Sequence, residues 1–254
     1  ADLPTFETLQ KQGTTYTSAF ASAPWTLPSH GGLFSGRYSS RHGASAAAKR
    51  FPEHTPTVVE AFEKASYVTV AVSNNTWISD EFGFARGFKT FRKNWQYIQS
   101  DVDLGKIARE EEGFDKILEV AKQLFDGNPL VNATNAVYGQ FVRERTDDDG
   151  AKGTNRWISD WLDGRDDSDP FFLFINYLEP HLEYRPPEEY TEKYLPKGVS
   201  YAKAMEVNQD AWSYIANNVE MTERDFEILE ALYHAEIAYL DDRIDELRRL
   251  LEEA

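Results

Sequence analysis

The sequence contains no cysteine and no long apolar run, and each absence excludes a class of site or structure. Without cysteine the chain forms neither disulfide bonds nor thiolate metal centres, and its cysteine usage carries no information about redox compartment. No apolar run approaches the roughly 20 residues that a membrane-spanning helix needs. Basic residues are also scarce, because 27 lysines and arginines stand against 43 aspartates and glutamates. The net charge of −16 argues against nucleic acid or an anionic membrane as a partner.

The remaining composition is that of a globular protein. Hydrophobic residues make up 41% of the 254 residues and aromatic residues 14%, enough for one sizeable core or two small ones. An acidic surface suits a high-salt cytoplasm or medium, where repulsion between carboxylates is screened. A halophilic source and an ordinary acidic mesophilic protein both remain open. Neither the compartment nor the oligomeric state is predicted.

Residues 24–43 carry most of the information about chemistry. Pro28 bars a regular helix before it and Ser29 is a good N-cap, so we expect a short helix over residues 29–35. Thr26 would then stand just ahead of a helix N-terminus, where backbone N–H groups and the helix dipole favour an anion. A hydroxyl held at an anion site is a candidate nucleophile for phosphate or sulfate ester chemistry.

This segment resembles the signature of the sulfatases, a family of the alkaline phosphatase-like superfamily. The family pattern is Cys or Ser, any residue, Pro, Ser and Arg, then a short helix ending in Thr/Ser-Gly-Arg-Tyr and a His-Gly. Thr26 stands at the Cys/Ser position and His30 replaces the Arg, while residues 35–38 and 42–43 match the end of the pattern. Because Thr26 is neither Cys nor Ser, the resemblance implies an unmodified hydroxyl nucleophile instead of formylglycine, as in phosphodiesterase branches of the superfamily.

Polar residues follow each of two predicted buried strands, residues 67–72 and 171–178. Most sulfatases carry a sulfate-binding Lys-x-His pair after the first strand. Here Asn74 or Asn75 could donate an amide N–H to an oxyanion, and both could equally end the strand at a turn. His181, after the second strand, resembles the family histidine that faces the substrate. It could contact the oxyanion or protonate a leaving group, or be a loop histidine bonded to backbone.

Periodicity and capping residues predict the other elements. The apolar stripe after Thr222 includes Phe226 and Tyr233 and predicts one long amphipathic helix packed on a sheet, although a coiled coil gives the same pattern. Alternating strands and helices predict an α/β fold. The resemblance implies the three-layer α/β/α sandwich of the alkaline phosphatase-like proteins, with a mainly parallel sheet. The further predicted elements are helices at 5–12, 55–65 (with Pro56 in its first turn), 113–125 and 155–162, a strand at 14–20 and a polar loop at 146–153.

The resemblance implies one sulfatase-like catalytic domain over residues 1–254, mapped to the middle of the family domain. The family binds a divalent cation (Ca²⁺, Mg²⁺, Mn²⁺ or Zn²⁺) through carboxylates that precede and follow this region. Of the metal ligands only Thr26 is assigned to this chain. We therefore expect residues 1–254 alone to bind no metal and to be inactive.

Two functions remain open. In the first, Thr26 attacks a small-molecule or glycan sulfate or phosphate ester, a metal stabilises the developing charge and His181 assists. In the second, a non-catalytic homologue binds an anionic ligand or glycan, which Thr26, His30 and the missing Lys-x-His pair favour. The substrate-binding residues assigned are His30, Asn74 and Asn75. We expect Thr26 and His181 to lie within about 15 Å of each other if they share a site.

Overall fold

A computed structural model describes residues 1–96, 150–165 and 169–254, which fall into two compact units. The sheet unit comprises the described residues 18–96 and 169–177, and the helical unit comprises 1–17, 150–165 and 178–254. The predicted helix at 113–125 lies outside the described residues. In chain order the described elements are α1 (Pro4–Gln12), α2 (Thr26–Ser35), α3 (Ser39–His42), α4 (Val58–Lys64), β1 (Val68–Ser73), β2 (Thr90–Lys93), α5 (Ala151–Asp163), β3 (Phe171–Asn176), α6 (Glu188–Thr191), α7 (Tyr201–Ala204), α8 (Ala211–Ile215) and α9 (Glu223–Glu253).

A parallel sheet with the strand order β2-β1-β3 organises the sheet unit. The β-branched run of β1 is almost wholly buried, as predicted, whereas every residue of β3 is only half-buried. The strands end together, because Ser73 pairs with Lys93 on one side and with Asn176 on the other. A parallel sheet on which the helices α2 and α4 pack confirms the predicted α/β class.

Aromatic side chains fill the core of the sheet unit. The rings of Phe51 and Phe84 stack with their centroids 5.3 Å apart. Phe34 of α2 meets Phe84 at 5.4 Å and Phe174 of β3 at 4.9 Å, which ties the helix to the sheet. Gly83 has a φ of +85°, and a Cβ there would lie 2.5 Å from the Phe51 carbonyl oxygen. Only glycine therefore allows these two backbone segments to approach so closely.

The 31-residue helix α9 dominates the helical unit, and it begins with the predicted capping box of Thr222 and Asp225. The predicted contact face was wrong in part, because Phe226 and Tyr233 are exposed, whereas Leu229 and Ile237 of the same stripe are half-buried. Residues on a neighbouring face are buried instead, with spacings of four, three and four residues: Ile228, Leu232, Ala235 and Tyr239. Within this unit α9 packs against the helices α1, α5, α6 and α7, whereas the sequence predicted that it would pack on a sheet.

Buried carboxylates cap two helix starts that local residues do not cap. Leu3, the N-cap of α1, has no acceptor side chain, and the backbone N–H groups of Thr5 and Phe6 donate to Asp241, each at 2.9 Å. At the start of α5 the N–H of Ala151 donates to Glu179 at 3.0 Å. These carboxylates satisfy donors that a helix leaves unpaired in its first turn.

Three other predicted boundaries differ from the structure. Residues 14–20 form no strand, because they are exposed and no neighbouring strand pairs with them. Helix α4 starts after Pro56, since Thr57 forms a capping box with Glu60. Helix α5 starts four residues before the predicted residue 155, after a glycine in the left-handed region. Within the described part of the chain, no helix is long and apolar enough to cross a membrane.

Candidate active site

Helix α2 begins at Thr26, three residues earlier than predicted. Pro28 does not bar the helix, because it occupies the third position, where its missing N–H has no intrahelical acceptor to lose. The first backbone bond runs from Ser29 N to the carbonyl of Trp25 at 3.2 Å. Thr26 is therefore the first helical residue and does not lie ahead of the helix.

The first turn of α2 has the properties of an anion site. Trp25, the N-cap, offers no side-chain acceptor to the turn. The N–H groups of Thr26 and Leu27 precede the first residue that can bond within the helix, and they carry the positive end of its dipole. The Thr26 hydroxyl thus lies where backbone donors favour an oxyanion.

Asn75 extends from the end of β1 to the candidate nucleophile. Its Nδ2 donates to Thr26 Oγ1 at 3.4 Å. The amide is held in place, because its Oδ1 accepts from Trp77 N at 3.0 Å and the Asn75 N–H donates to Ser73 Oγ at 3.2 Å. The structure therefore brings Thr26 and Asn75 together, and the amide group of Asn75 is pre-oriented toward the hydroxyl.

Asn74 binds the strand ends. Its backbone N–H and its Nδ2 both donate to the carbonyl of Asn176, at 3.1 and 2.9 Å. Its Oδ1 accepts from Asn94 Nδ2 at 2.7 Å, and the residue is only 3% exposed. One side chain thus links the carboxyl ends of all three strands, an arrangement that we call the asparagine clasp (Asn74, Asn94 and Asn176). Of the two asparagines left open by the sequence, Asn75 has the amide that reaches Thr26.

His30 lies one helical turn after Thr26 and is half-buried. Its Nδ1 is 2.9 Å from the Thr26 carbonyl oxygen, and since a carbonyl only accepts, Nδ1 carries the proton and Nε2 is the acceptor in the neutral ring. Burial lowers the pKa of His30, although the bond to the Thr26 carbonyl opposes that shift. His30 is therefore a neutral group at the position where the family pattern has an arginine.

His181 belongs to the helical unit, where its ring is exposed and Nδ1 lies 2.5 Å from the Leu182 carbonyl oxygen. Such a bond to backbone is what a loop histidine of purely structural role also makes. Convergence of His181 with Thr26 stays a prediction.

Two buried ionisable side chains were not predicted from the sequence. One ends strand β2 and the other packs on α2. Lys93 ends β2, is 4% exposed, and its Nζ lies 3.0 and 3.3 Å from the Asp80 carboxylate oxygens. A lysine in a four-residue strand gives no periodic signal that would place it inside.

His42 packs on Gly31 of α2, where a Cβ would come within 2.8 Å of its ring. Burial lowers the pKa of His42 despite a backbone hydrogen bond to Pro28.

The described residues do not fit a divalent metal centre by themselves. Across residues 1–96, 150–165 and 169–254, no group of three or more histidines, cysteines, aspartates or glutamates is placed to hold an ion. Thr26 supplies one oxygen, whereas Ca²⁺ and Mg²⁺ take about six or more ligands.

A sequence model of the family described as Sulfatase matches residues 1–254. The chain belongs to the sulfatase family. Members of this family generally use a divalent metal. No curated protein matches the sequence.

A solved structure shares the fold of this chain. It is described as a phosphonate monoester hydrolase of Agrobacterium radiobacter, and it aligns with a TM-score of 0.60 at 15% sequence identity. The alignment covers 99% of this chain and 55% of that one, so the chain spans about half the length of the neighbour. At this identity the likeness shows the fold, and it confirms the predicted α/β fold of alkaline phosphatase-like type.

Proposed function

We propose that the Thr26 hydroxyl is the nucleophile of a sulfatase-like hydrolase acting on sulfate or phosphate esters. The observation that carries this proposal is the position of Oγ1 on the first residue of α2, 3.4 Å from the amide of Asn75. A nucleophile must lie beside donors that stabilise the oxyanion formed in the transition state. Backbone N–H groups of the first turn and Asn75 Nδ2 supply such donors.

The reaction proceeds through a threonine ester. Thr26 Oγ1 forms a bond to phosphorus or sulfur as the bond to the substrate alcohol breaks, and the hydroxyl proton passes to solvent. The departing alcohol takes a proton from His181 or from water. Water then cleaves the threonine ester, which restores the hydroxyl and releases inorganic phosphate or sulfate.

The remaining residues bind and orient the substrate. Neutral His30 accepts a hydrogen bond through Nε2, while Asn75 holds the oxyanion and Asn74 supports the edge of the sheet. A bound divalent cation (Ca²⁺, Mg²⁺, Mn²⁺ or Zn²⁺), with Thr26 as one ligand, would lower the pKa of the attacking hydroxyl and neutralise charge. The substrate is a small-molecule or glycan ester, with neither nucleic acid nor a membrane as a partner.

The alternative is a non-catalytic member of the family that binds an anion or glycan. The neutral state of His30 supports it, since the family arginine would supply a permanent charge and a forked donor set for the oxyanion. Backbone donors at α2 alone suffice to bind an anion.

Thr26→Val and Thr26→Ser separate the two functions. The protein expressed from its complete reading frame is assayed with 4-nitrophenyl phosphate and 4-nitrophenyl sulfate in the presence of each of the four cations. We expect Thr26→Val to lower turnover by at least about 1,000-fold, and Thr26→Ser and the exposed control Thr15→Val to retain it. A phosphorylated or sulfated peptide containing residue 26 should appear in the quenched wild-type reaction.

Absence of turnover with every cation, together with unchanged binding of inorganic phosphate by wild type and Thr26→Val, would establish the non-catalytic alternative. Turnover that survives Thr26→Val would show that another residue is the nucleophile.

A further inference from the structure

The short helix α8 (Ala211–Ile215) presents large apolar side chains to solvent within the helical unit. Trp212 is 80% exposed and Ile215 is 66% exposed. Because they stand three residues apart, they lie on one face of the helix. Tyr214 meets Phe226 of α9 with the ring centroids 5.6 Å apart, and both of these rings are also exposed. We call these four side chains the α8 patch.

Hydrogen bonds fix α8 at both of its ends. At the start, the Asp210 carboxylate accepts from the N–H of Ser213 at 2.9 Å and from its hydroxyl at 2.6 Å. At the end, Asn217 adopts the left-handed conformation with a φ of +58°, and the N–H of Asn218 donates to the carbonyl of Ser213 at 2.8 Å. A helix this short is unstable by itself in water, so these caps hold the α8 patch in one conformation.

The segment that leads into α8 is anchored as well. The side chain of Gln209 accepts from the N–H of Tyr184 at 2.7 Å and donates to the carbonyl of Tyr184 at 3.0 Å. One amide thus binds both backbone groups of a distant residue, and α8 starts from a fixed point. A pre-organised apolar surface loses little conformational entropy when a partner covers it. The α8 patch therefore has the properties of a recognition surface.

The size of the α8 patch restricts the partner. The four side chains expose on the order of 400 Å² of mostly apolar surface, the size of the largest patch on a typical monomer, which is often functional. A stable dimer buries about 800 Å² on each subunit. The patch is therefore too small to hold two copies of this chain together by itself, and its area suits a short polypeptide segment.

Carboxylates surround the α8 patch. Asp210 stands two residues before Trp212, and Glu223 shares a face of α9 with Phe226 at a spacing of three residues. Glu220 lies in the connection between α8 and α9. Side-chain and backbone hydrogen bonds from the first turn of α8 lower the pKa of Asp210, so this carboxylate stays ionised. We call these three carboxylates the acidic rim.

The charge of the acidic rim is not neutralised locally. Arg224, the nearest arginine in the sequence, contacts Glu227 at 2.6 Å. In the part of the chain that the structure describes, no basic side chain lies within 4 Å of the carboxylates of the rim. A second copy of the chain would bring the same negative charges to the contact and would be repelled, as would an anionic membrane. The chemistry complementary to this surface is apolar and positively charged.

We propose that the α8 patch is the docking surface for a basic amphipathic segment of a partner protein. Large apolar residues of the segment cover Trp212 and Ile215, while its lysine or arginine side chains meet the acidic rim. The aromatic centre contributes most of the affinity, and the carboxylates raise the association rate and exclude acidic partners. The proposal is independent of the chemistry at Thr26, which belongs to the sheet unit.

Two synthetic peptides of opposite charge test this surface. One is an amphipathic peptide of about 14 leucine and lysine residues, and the other carries glutamate at every lysine position. We expect isothermal titration calorimetry to show binding of the lysine peptide alone. Trp212→Ala should weaken that binding at least about tenfold and Ile215→Ala about threefold. Tyr38→Ala, which removes a ring that is 73% exposed and outside the patch, should leave it unchanged.

Charge variants test the acidic rim. The double variant Glu220→Gln/Glu223→Gln should weaken binding of the lysine peptide about threefold at low salt and have no effect in about 1 M NaCl, where exposed charges are screened. The control Glu63→Gln/Glu253→Gln removes the same charge at two exposed positions elsewhere, and it should bind the peptide as the wild type does.

Three results would overturn the proposal. Equal binding of the two peptides, or equal binding of the lysine peptide by wild type and Trp212→Ala, would show only a general affinity of the chain for amphipathic or cationic peptides. Binding of neither peptide would show that the patch is not a surface for such a segment. Sedimentation of the wild type as a dimer that Trp212→Ala converts to a monomer would assign the patch to a second copy of the chain.

Discussion

The sheet unit and the helical unit are stabilised by different means. In the sheet unit, aromatic rings pack between α2, the loops and the parallel strands, and glycine allows the closest backbone approaches. In the helical unit, buried carboxylates bind backbone N–H groups, with Asp241 at α1, Glu179 at α5 and Glu236 at Arg185 N. The stabilisation that apolar packing gives does not depend on charge, whereas a buried carboxylate is stabilised only by the groups that donate hydrogen bonds to it.

This difference explains where the candidate site lies. A nucleophile and its oxyanion donors must be held within fractions of an ångström, which a dense core does better than exposed polar contacts. Thr26 and Asn75 both extend from elements that pack on the aromatic core. The helical unit is held instead by hydrogen bonds between residues that are far apart in the sequence. Of the assigned site residues it contains only His181.

The largest expected effect is the loss of an aromatic ring from the core of the sheet unit. Phe51 is fully buried and stacks on Phe84, so Phe51→Ala should lower the free energy of unfolding by about 4 kcal/mol. Urea denaturation measures the change, with the exposed Phe20→Ala as its matched control within about 0.5 kcal/mol of wild type. Equal losses in the two variants would refute the assignment of the core.

Removal of a remote cap should have the next largest effect. Asp241→Ala leaves the N–H groups of Thr5 and Phe6 without their acceptor, and we expect a loss of about 3 kcal/mol. Hydrogen exchange at these two amides should accelerate. Glu230→Ala, an exposed substitution on the same helix, serves as the control. Unchanged exchange at both amides would show that the carboxylate does not cap α1.

The local cap of α9 sharpens the comparison between remote and local capping. Thr222 accepts from Asp225 N in an exposed capping box. Thr222→Ala should therefore cost about 1 kcal/mol, less than Asp241→Ala, because water can replace the lost acceptor. A cost equal to that of Asp241→Ala, measured by urea denaturation, would remove the distinction between the two kinds of cap.

The smallest effect concerns pH. Burial holds the pKa of His30 below its ordinary value of 6.5, so the unfolded chain binds more protons as the pH falls through and below 6.5. The free energy of unfolding must then decrease toward acid pH. His30→Asn should flatten part of this slope and leave the share of His42, whose shift has the same sign. A steeper slope in His30→Asn would contradict this account.

Sequence patterns predicted the elements that carry strong local signals. The apolar runs placed β1 and β3, and the capping box placed the start of α9, because each signal acts within a few residues. The start of α2 was missed because a proline is excluded from helix interiors and tolerated in the first turn. The strand at 14–20 was wrong because alternation forms no strand without a partner.

The site was predictable to the level of residue types and no further. Asn74 and Asn75 are chemically alike in sequence, and only the fold shows that one binds strand ends while the other reaches Thr26. The buried face of α9 differs from the predicted one because it includes Ala231, Ala235 and Ala238, which a search for large apolar residues passes over. Lys93 and its bond to Asp80 depend on tertiary proximity, which a short polar strand does not reveal.

The asparagine clasp also determines how freely the chain can vary around the site. Asn74, Asn94 and Asn176 hold the ends of three strands together where the chain leaves the sheet. A loop that starts from a fastened point can be lengthened, shortened or exchanged while the strand ends keep their positions. In an evolving family, new specificity could therefore be acquired by changing these loops, and the distance between Thr26 and Asn75 would be inherited unchanged.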